Sequence, residues 1–171
     1  MSELTAVPPF HYCPYCAAPL PQATPFRQPC PVCQRVLYHN SSPCVGALPI
    51  DREGRILLGV RAIEPFKGGW NTIGGFLEYG EHPHEGLRRE VREETGADCT
   101  VGCFVAACAD TYGHDGPALL NLYFRVDLLS DALQPCDDVA RLEWFSLDRL
   151  PDDIPFAADR QAFEILRTTL P

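Results

Sequence analysis

One stretch of the sequence decides the fold. It reads Gly75-Phe-Leu-Glu-Tyr-Gly-Glu81 and continues, after seven residues, as Arg89-Glu90-Val91-Arg92-Glu93-Glu94-Thr95-Gly96-Ala97. Pro83 suits the first turn of a helix, because a backbone N–H would lack a partner there, and Gly96 suits the C-terminal cap. The two residues predict a helix from Pro83 to Thr95.

Glu90, Glu93 and Glu94 lie on one side of this helix, at positions i, i+3 and i+4. Glu90 and Glu94 place like charges one turn apart, and Glu93 and Glu94 occupy the last turn, where the helix dipole disfavours anions. Stability alone would favour lysines here, since each such anion costs about a few tenths of a kcal/mol. A divalent cation reverses the sign, and carboxylate oxygens suit Mg²⁺ or Mn²⁺. The cluster therefore predicts a metal site that can hold phosphate oxygens.

The stretch as a whole resembles the Nudix box, whose glycine, glutamates and arginine recur at fixed spacing. Every fixed position of that pattern is present here. The likeness extends to Lys67-Gly-Gly-Trp70 and to Glu143-Trp-Phe-Ser-Leu-Asp148, so it covers most of residues 44 to 150. The sequence departs from the family at Gly86, where alanine is usual, and at Ile73, where proline is usual. Neither change removes a metal ligand.

The resemblance implies a catalytic magnesium or manganese site built on three glutamates, Glu90, Glu93 and Glu94. It implies that Arg89 orients them and that the backbone carbonyl of Gly75 is a further ligand. Glu81 would support the loop or bind the metal through water. The general base stays open among five acids, Glu93, Glu94, Asp137, Asp138 and Glu143.

Two C-x-x-C pairs precede the box, Cys13-Pro-Tyr-Cys16 and Cys30-Pro-Val-Cys33. Each turn can aim two thiolates at one point, and four thiolates are the set that tetrahedral zinc prefers. Residues 1–40 contain too few large aliphatic side chains to build a core, which a structural zinc would replace. We predict a zinc ribbon over residues 1–40, with these four cysteines as ligands, and a hydrolase domain over residues 41–171. The other cysteines are predicted to lie in the core: Cys44, Cys99, Cys103, Cys108 and Cys136.

The remaining pattern predicts an α+β fold. Strands are expected over residues 44–50, 55–61, 70–76, 101–109, 119–129 and 141–147, the third interrupted at its paired glycines, and a second helix over 157–170. Helices interleaved with hairpin strands, without a repeated strand-helix-strand unit, indicate a mixed sheet. The resemblance implies the Nudix-like α/β/α sandwich, preceded by the small zinc ribbon.

Composition excludes several classes of protein. The chain of 171 residues carries 23 acidic and 14 basic side chains, a net charge of −9, which argues against strong nucleic-acid binding. No apolar run approaches the roughly 20 residues that cross a bilayer. Residues 1–10 lack the features of a secretory signal, so we expect a cytoplasmic protein without membrane contact. Nine cysteines, an odd number, cannot all pair as disulfides.

A zinc ribbon before a Nudix domain resembles two branches of the family, the NADH pyrophosphatases and the ADP-ribose or FAD pyrophosphatases. The family cleaves a nucleoside diphosphate linked to another moiety by attack of water on the pyrophosphate. The NADH signature Ser-Gln-Pro-Trp-Pro-Phe-Pro is absent from Ala106–Gly113, so we predict a substrate of ADP-ribose or FAD type. NADH and diadenosine polyphosphates stay alternatives, so the expected partner is a nucleotide-sugar or dinucleotide substrate.

Tyr112 is the predicted substrate-binding residue, because an aromatic ring in a loop beside the metal helix can stack on adenine. The alternative is that Tyr112 has only a structural role and packs on the sheet. A homodimer is expected, because family hydrolases of dinucleotides often complete the site across an interface. An alternative of another class is an RNA- or protein-binding zinc ribbon with an inactive Nudix fold. Against RNA binding, residues 1–40 have only Arg27 and Arg35 as basic side chains.

Overall fold

The computed structural model describes residues 10–21 and 27–169 of the chain. These residues form eleven elements in chain order: β1 Arg27–Pro29, β2 Val36–Tyr38, β3 Ser42–Pro49, β4 Arg55–Arg61, β5 Trp70–Asn71, β6 Ile73–Phe76, α1 Pro83–Thr95, β7 Cys99–Thr111, β8 Ala118–Leu128, β9 Val139–Ser146 and α2 Ala157–Thr169.

The helix predicted over Pro83–Thr95 is confirmed residue for residue. His82 caps its N-terminus, since the side chain accepts a hydrogen bond from the His84 N–H at 3.2 Å. Gly96 ends the helix in the left-handed conformation, with φ at 70°, and donates its N–H to the carbonyl of Arg92. The two caps fix the length of α1 and therefore the position of its glutamates.

The strands form three sheets, in the orders β1-β2, β6-β3-β8-β7 and β5-β4-β9. All neighbours are antiparallel except β3 and β8, which run parallel from the pair Ser42 and Leu119 to the pair Pro49 and Val126. The expected mixed sheet of an α+β fold is therefore confirmed. The parallel pair joins two strands that lie far apart in the sequence.

One predicted interruption is wrong. The chain breaks at Thr72, between β5 and β6, whereas Gly74 and Gly75 lie inside β6 and pair with Gly46 and Val45 of β3. The break occurs because β5 pairs with β4 in one sheet and β6 pairs with β3 in another. Thr72 is thus the crossing point between the two larger sheets.

Two apolar cores lie on opposite faces of the sheets. Ile56 and Leu58 pack in the core that contains α2, and Leu57 between them packs in the core that contains α1. Helix α2 packs against β7, whereas α1 packs against β3, β6 and β7. This alternation produces the predicted α/β/α sandwich. The α2 face predicted to be core is buried at Ala162, Phe163 and Leu166, and Leu170 lies outside the described residues.

The prediction that the scattered cysteines are core residues holds for Cys44, Cys99 and Cys108, which are buried. It is wrong for Cys103 and Cys136, which are exposed. Cys103 lies where the register of the edge strand β7 shifts against β8, and Cys136 lies in the loop before β9. Both positions turn the side chain away from the cores.

Across residues 10–21 and 27–169, no helix has both the length and the apolar character that crossing a membrane requires.

Candidate active site

Helix α1 lies against β6, and its apolar residues decide which side faces the strand. Leu87 and Val91 are fully buried in the core beneath the helix. Glu90 and Glu94 are consequently held at the edge of that core, where both are buried. The Oε2 of Glu94 accepts a hydrogen bond from the Gly74 N–H at 2.8 Å. The backbone of β6 and the acidic side of α1 are therefore in direct contact.

Arg89 binds three carboxylates and one strand. Its Nε and Nη2 donate to the two carboxylate oxygens of Glu81, at 3.0 and 2.9 Å. Its Nη1 donates to Glu90 at 2.7 Å and to Glu93 at 3.0 Å. Nη2 also donates to the carbonyl of Phe76 at 3.1 Å. One guanidinium group thus fixes the loop before α1, the helix itself and the end of β6.

Gly75 leaves space beside Glu90. A side-chain carbon at this position would lie 2.8 Å from both carboxylate oxygens of Glu90, so any larger residue would occupy that space. Hard carboxylate oxygens next to an open stretch of backbone match the donors that Mg²⁺ and Mn²⁺ take. The donor set of Glu90, Glu93 and Glu94 therefore fits such a cation by its chemistry.

The carboxylates of the site differ in their affinity for protons. The hydrogen bonds from Arg89 lower the pKa of Glu81. Burial raises the pKa of Glu90 and raises that of Glu94 to about 8, although the Gly74 N–H acts in the opposite direction on Glu94. The site thus contains one carboxyl group held ionised and two that resist ionisation when no cation is bound.

Of the three acids beyond the box that were considered as general bases, two lie near the glutamates of α1 and one does not. Besides burial, the negative charge of Asp137 raises the pKa of Glu90, and that of Asp138 raises the pKa of Glu94. Both aspartates therefore lie within electrostatic reach of Glu90 and Glu94 on α1, the acidic helix. Glu143 lies exposed on β9, in the sheet that does not contain β6.

An aromatic cleft adjoins the carboxylates through Gly75 and Phe76, with a cavity volume of about 60 Å³ and an opening to solvent. Tyr112 contacts Phe76 edge to face at 5.3 Å between ring centroids and stacks on Phe156 at 6.3 Å. Arg61 donates from Nη2 to the Tyr112 hydroxyl at 3.3 Å and lies over the ring of Phe156. The structure therefore places Tyr112 in the wall of a cleft next to the acidic helix.

Polar residues form the floor of this cleft. Asp159 is buried and accepts hydrogen bonds from the Tyr123 hydroxyl at 2.7 Å and from the Thr72 hydroxyl at 3.0 Å. Its other oxygen accepts from the Thr72 N–H at 3.1 Å. Burial raises the pKa of this carboxyl group. Asn71 lies beside the network and also lines the cleft.

The four cysteines of the two C-x-x-C pairs meet at one point. Their sulfur atoms all lie within 4.8 Å of one another, in the group Cys13, Cys16, Cys30 and Cys33. Ala17 and Gln34, each directly after the second cysteine of a pair, adopt the left-handed conformation and donate their N–H groups back to the first cysteine. Backbone N–H groups lower the pKa of Cys30 to about 6. At Cys16 the Ala18 N–H acts in the same direction, but desolvation and the neighbouring thiols outweigh it and raise the pKa to about 11.

Within the part of the chain described here, no other histidine, cysteine or acidic residues bring three such ligand atoms as close together. The glutamates of α1 are held apart because Arg89 occupies the space between Glu90 and Glu93, while Glu94 binds β6.

Comparison with protein families assigns the domain that carries these features. The family described as the NUDIX domain matches residues 41–166. The chain belongs to the Nudix family. Its match spans the acidic helix, both cores and every wall of the aromatic cleft.

Two curated relatives agree with the assignment of this chain to the Nudix family. It is 34% identical over 119 residues to the ADP-ribose pyrophosphatase of Methanocaldococcus jannaschii, a match that covers 67% of this chain and 68% of the relative. It is 32% identical over 132 residues to the NAD-capped RNA hydrolase NudC of Pseudomonas aeruginosa, covering 77% of this chain but only 44% of the relative. These relatives make the chain a hydrolase of pyrophosphate bonds.

A solved structure supports the same fold over nearly the whole Nudix chain. The crystal structure of a NUDIX hydrolase from Nitrosomonas europaea superposes with a TM-score of 0.75 at 26% sequence identity, and the match covers 95% of both chains.

The Nudix box could be read directly from the sequence, but most of the cleft could not. Sequence reasoning selected Tyr112 and missed four residues that line or order the cleft: Arg61, Asn71, Phe156 and Asp159. One signal was available, because Asp159 is an acid on the buried face of α2. The other three carry no local pattern, since only the fold brings them together.

Proposed function

We propose that this hydrolase cleaves the pyrophosphate of an ADP-ribose-type substrate, including FAD, with Mg²⁺ or Mn²⁺ as the catalytic cation. The observation that carries the proposal is the continuity between the acidic helix and the aromatic cleft. Gly75 adjoins Glu90 on one side and lines the cleft on the other. A pyrophosphate at the helix would therefore place an attached nucleoside beside the aromatic rings of the cleft. The similarity to the ADP-ribose pyrophosphatase supports this choice.

The chain contributes positioning and charge. Glu90, Glu93 and Glu94 hold the cation, which when bound makes water more acidic and neutralises charge on the phosphates. Arg89 orients Glu90 and Glu93 through the hydrogen bonds of its Nη1. Glu81 keeps Arg89 in place through its paired hydrogen bonds.

The proton acceptor is proposed to be Glu93 or Glu94. Glu94 is buried and bound to the Gly74 N–H, whereas Glu93 is exposed to solvent. The plot of kcat against pH for Glu93→Gln and Glu94→Gln separates them, because loss of the base removes the acidic limb of the profile.

The substrate is tested by comparing kcat/KM for ADP-ribose, FAD, NADH and diadenosine polyphosphates with Mg²⁺. ADP-ribose or FAD is expected to rank first, and Glu94→Gln to lose at least about 100-fold in kcat while it stays folded. Tyr112→Ala is expected to raise KM, because a stacking ring is lost. A preference for NADH or for diadenosine polyphosphates overturns the choice of substrate. Near-normal turnover by Glu94→Gln excludes the acidic helix as the catalytic site.

A second candidate is an NAD-type anhydride. The observation in its favour is the match to NudC, which covers 77% of this chain and includes residues outside the box. The chain spans less than half of that relative, so the additional segments of NudC have no counterpart in the match. The NADH arm of the substrate comparison distinguishes this candidate.

The four-cysteine group is proposed to hold one structural zinc. Four thiolates complete a tetrahedral site, so no position is left open for substrate. We propose that the ribbon comprises residues 1–40 and the hydrolase domain residues 41–171. We also propose that the protein forms a homodimer in solution. Sedimentation velocity would return about twice the chain mass of 19.0 kDa for the dimer.

A further inference from the structure

Asp159 is a buried carboxyl group that is bound by neutral donors. The residue is 4% exposed. The donors are the N–H and the hydroxyl of Thr72, at 3.1 and 3.0 Å, and the hydroxyl of Tyr123, at 2.7 Å. Removing a carboxyl group from water has a cost that such hydrogen bonds offset only in part. An apolar residue on this face of α2 would avoid the cost, which indicates a role of Asp159 beyond stability.

The first turn of α2 holds Asp159 in a fixed position. Asp110, at the end of β7, accepts a hydrogen bond from the Ala158 N–H at 2.9 Å. Ala158, Ala162 and Phe163 are buried in the core that contains α2. The carboxyl group of Asp159 is therefore carried by a helix that is anchored at its start and packed along its buried face.

Thr72 connects Asp159 to the acidic helix through the backbone of β6. It lies at the crossing point between β5 and β6, two residues before Gly74. The Gly74 N–H donates to Glu94 Oε2 at 2.8 Å. Because the residues of a strand follow one another at a regular spacing, the position of Thr72 determines where this N–H points.

Tyr123 provides a second connection, through β3. A side-chain carbon at Gly46 would lie 2.5 Å from the Tyr123 ring, so this ring lies directly against the backbone of β3. Gly46 pairs with Gly74, and a side-chain carbon at Gly74 would lie 3.0 Å from Gly46 Cα. The hydroxyl of Tyr123 binds Asp159. Asp159 thus supports Gly74 from two sides, along β6 and from β3.

We infer that Asp159 is a positioning residue for the metal site, because it fixes Thr72 and Tyr123 and thereby the Gly74 N–H that orients Glu94. The inference rests on the proposed function, since it takes Glu94 as a ligand of the catalytic cation. Loss of a group that orients a metal ligand typically lowers metal affinity by about 10- to 100-fold. Helix α2 contributes to the metal site in this way although it carries none of the three glutamates.

The test measures binding of Mn²⁺ to the full chain, loaded with zinc beforehand and without substrate. Free Mn²⁺ is counted by electron paramagnetic resonance. Asp159→Asn is expected to raise the Kd for Mn²⁺ at least about 10-fold, because one carboxylate oxygen becomes an amide group that cannot accept a hydrogen bond. In metal-free protein, the amide hydrogen of Gly74 should exchange faster with solvent than in the wild type.

Two substitutions at Thr72 form a matched pair. Serine keeps the hydroxyl that binds Asp159, whereas valine keeps the shape of threonine without the hydroxyl. Thr72→Ser is expected to bind Mn²⁺ as the wild type does, and Thr72→Val to bind it about 3- to 10-fold more weakly. Equal affinities of the two variants contradict the inference, and this pair decides if Asp159→Asn does not fold.

The control for loss of packing is Phe163→Leu, on the same helix. Phe163 is buried in the core and takes no part in the hydrogen bonds of Asp159. This variant is expected to lose stability and to keep the wild-type Kd for Mn²⁺. A rise in its Kd equal to that of Asp159→Asn overturns the inference, since the effect would then belong to the packing of α2.

Glu94→Gln separates the two ways of failing. If this variant loses Mn²⁺ affinity and Asp159→Asn does not, the inference is wrong and the proposed cation site stands. If the wild type and Glu94→Gln bind Mn²⁺ equally, the proposed cation site is wrong and so is the inference. If both substitutions weaken Mn²⁺ binding and the wild type hydrolyses neither ADP-ribose nor FAD, the inference stands and the proposed substrate is wrong.

Discussion

Single residues of the acidic helix differ in environment although they share one sequence motif. Arg89 satisfies Glu81 and part of Glu90, whereas Glu94 receives a backbone N–H and is otherwise buried. Burial disfavours the charged form of Glu94, and the positive charge of Arg61 offsets this only in part. A bound cation would thus stabilise the ionised form of Glu94, which burial disfavours.

Glu94 is expected to make stability depend on pH in magnesium-free buffer. Its pKa is about 8 in the folded chain against an ordinary 4.5, so the unfolded chain releases this proton more readily. The stabilisation is complete below pH 4.5 and is lost as the pH rises through about 8. The free energy of unfolding should fall over that window by on the order of a few kcal/mol.

Urea unfolding of the wild type and of Glu94→Gln at the two ends of the window measures this effect. The amide cannot ionise, so the variant should lose the part of the pH dependence that Glu94 causes. Added Mg²⁺ should flatten the wild-type curve, because it binds the ionised carboxylate. Identical curves for the two proteins without Mg²⁺ would contradict the assignment.

At the scale of the elements, strand β6 tolerates little change at Gly74, because this glycine lies against β3. A side-chain carbon at Gly74 would lie 2.1 Å from the carbonyl oxygen of Val45, and φ at this residue is 147°. Gly74→Ala is expected to cost about 3 kcal/mol and to lower Tm by about 6–12 °C.

The control for this substitution is Gly54→Ala, in the turn between β3 and β4. Gly54 also has a positive φ, 75°, but no atom lies within 4 Å of the added carbon. Only the backbone strain remains there, about 1 kcal/mol, or about 2–4 °C in Tm. Tm is measured by calorimetry. Equal losses of Tm in the two variants would show that the contact between Gly74 and β3 is unimportant.

The stability of the two turns that carry the cysteines is expected to depend on bound zinc. Metal analysis should find one zinc per chain in the wild type and a large loss in Cys30→Ser, because serine does not replace a thiolate ligand. Cys136→Ser is the matched control, since Cys136 is exposed and outside the group. Full zinc content and unchanged stability in Cys30→Ser would refute the site.

Elements with local signals were predictable, and elements defined by distant partners were not. Pro83 and Gly96 located both ends of α1 because caps act within one turn. The break at Thr72 had no such signal, since it depends on β5 and β6 pairing with different strands. The interruption was predicted at the paired glycines instead, although these glycines let β6 lie close to β3.

At the scale of the whole molecule, the same distinction separates the two halves of the site. The acidic helix and its arginine lie within one continuous motif, so their chemistry could be inferred from spacing. The cleft gathers its lining from five separate segments, around Cys44, Asn71, Tyr112, Asn121 and Asp159. Only tertiary pairing, above all between β3 and β8, makes them neighbours.

The hydrogen bonds from Thr72 to Asp159 also impose an order on biosynthesis. All four cysteines of the proposed zinc site have been translated once the chain reaches Cys33. The cleft cannot form then, because Asp159 belongs to α2, which is translated after every described strand. A nascent chain would therefore carry every ligand of the proposed zinc site before it can form the floor of the cleft.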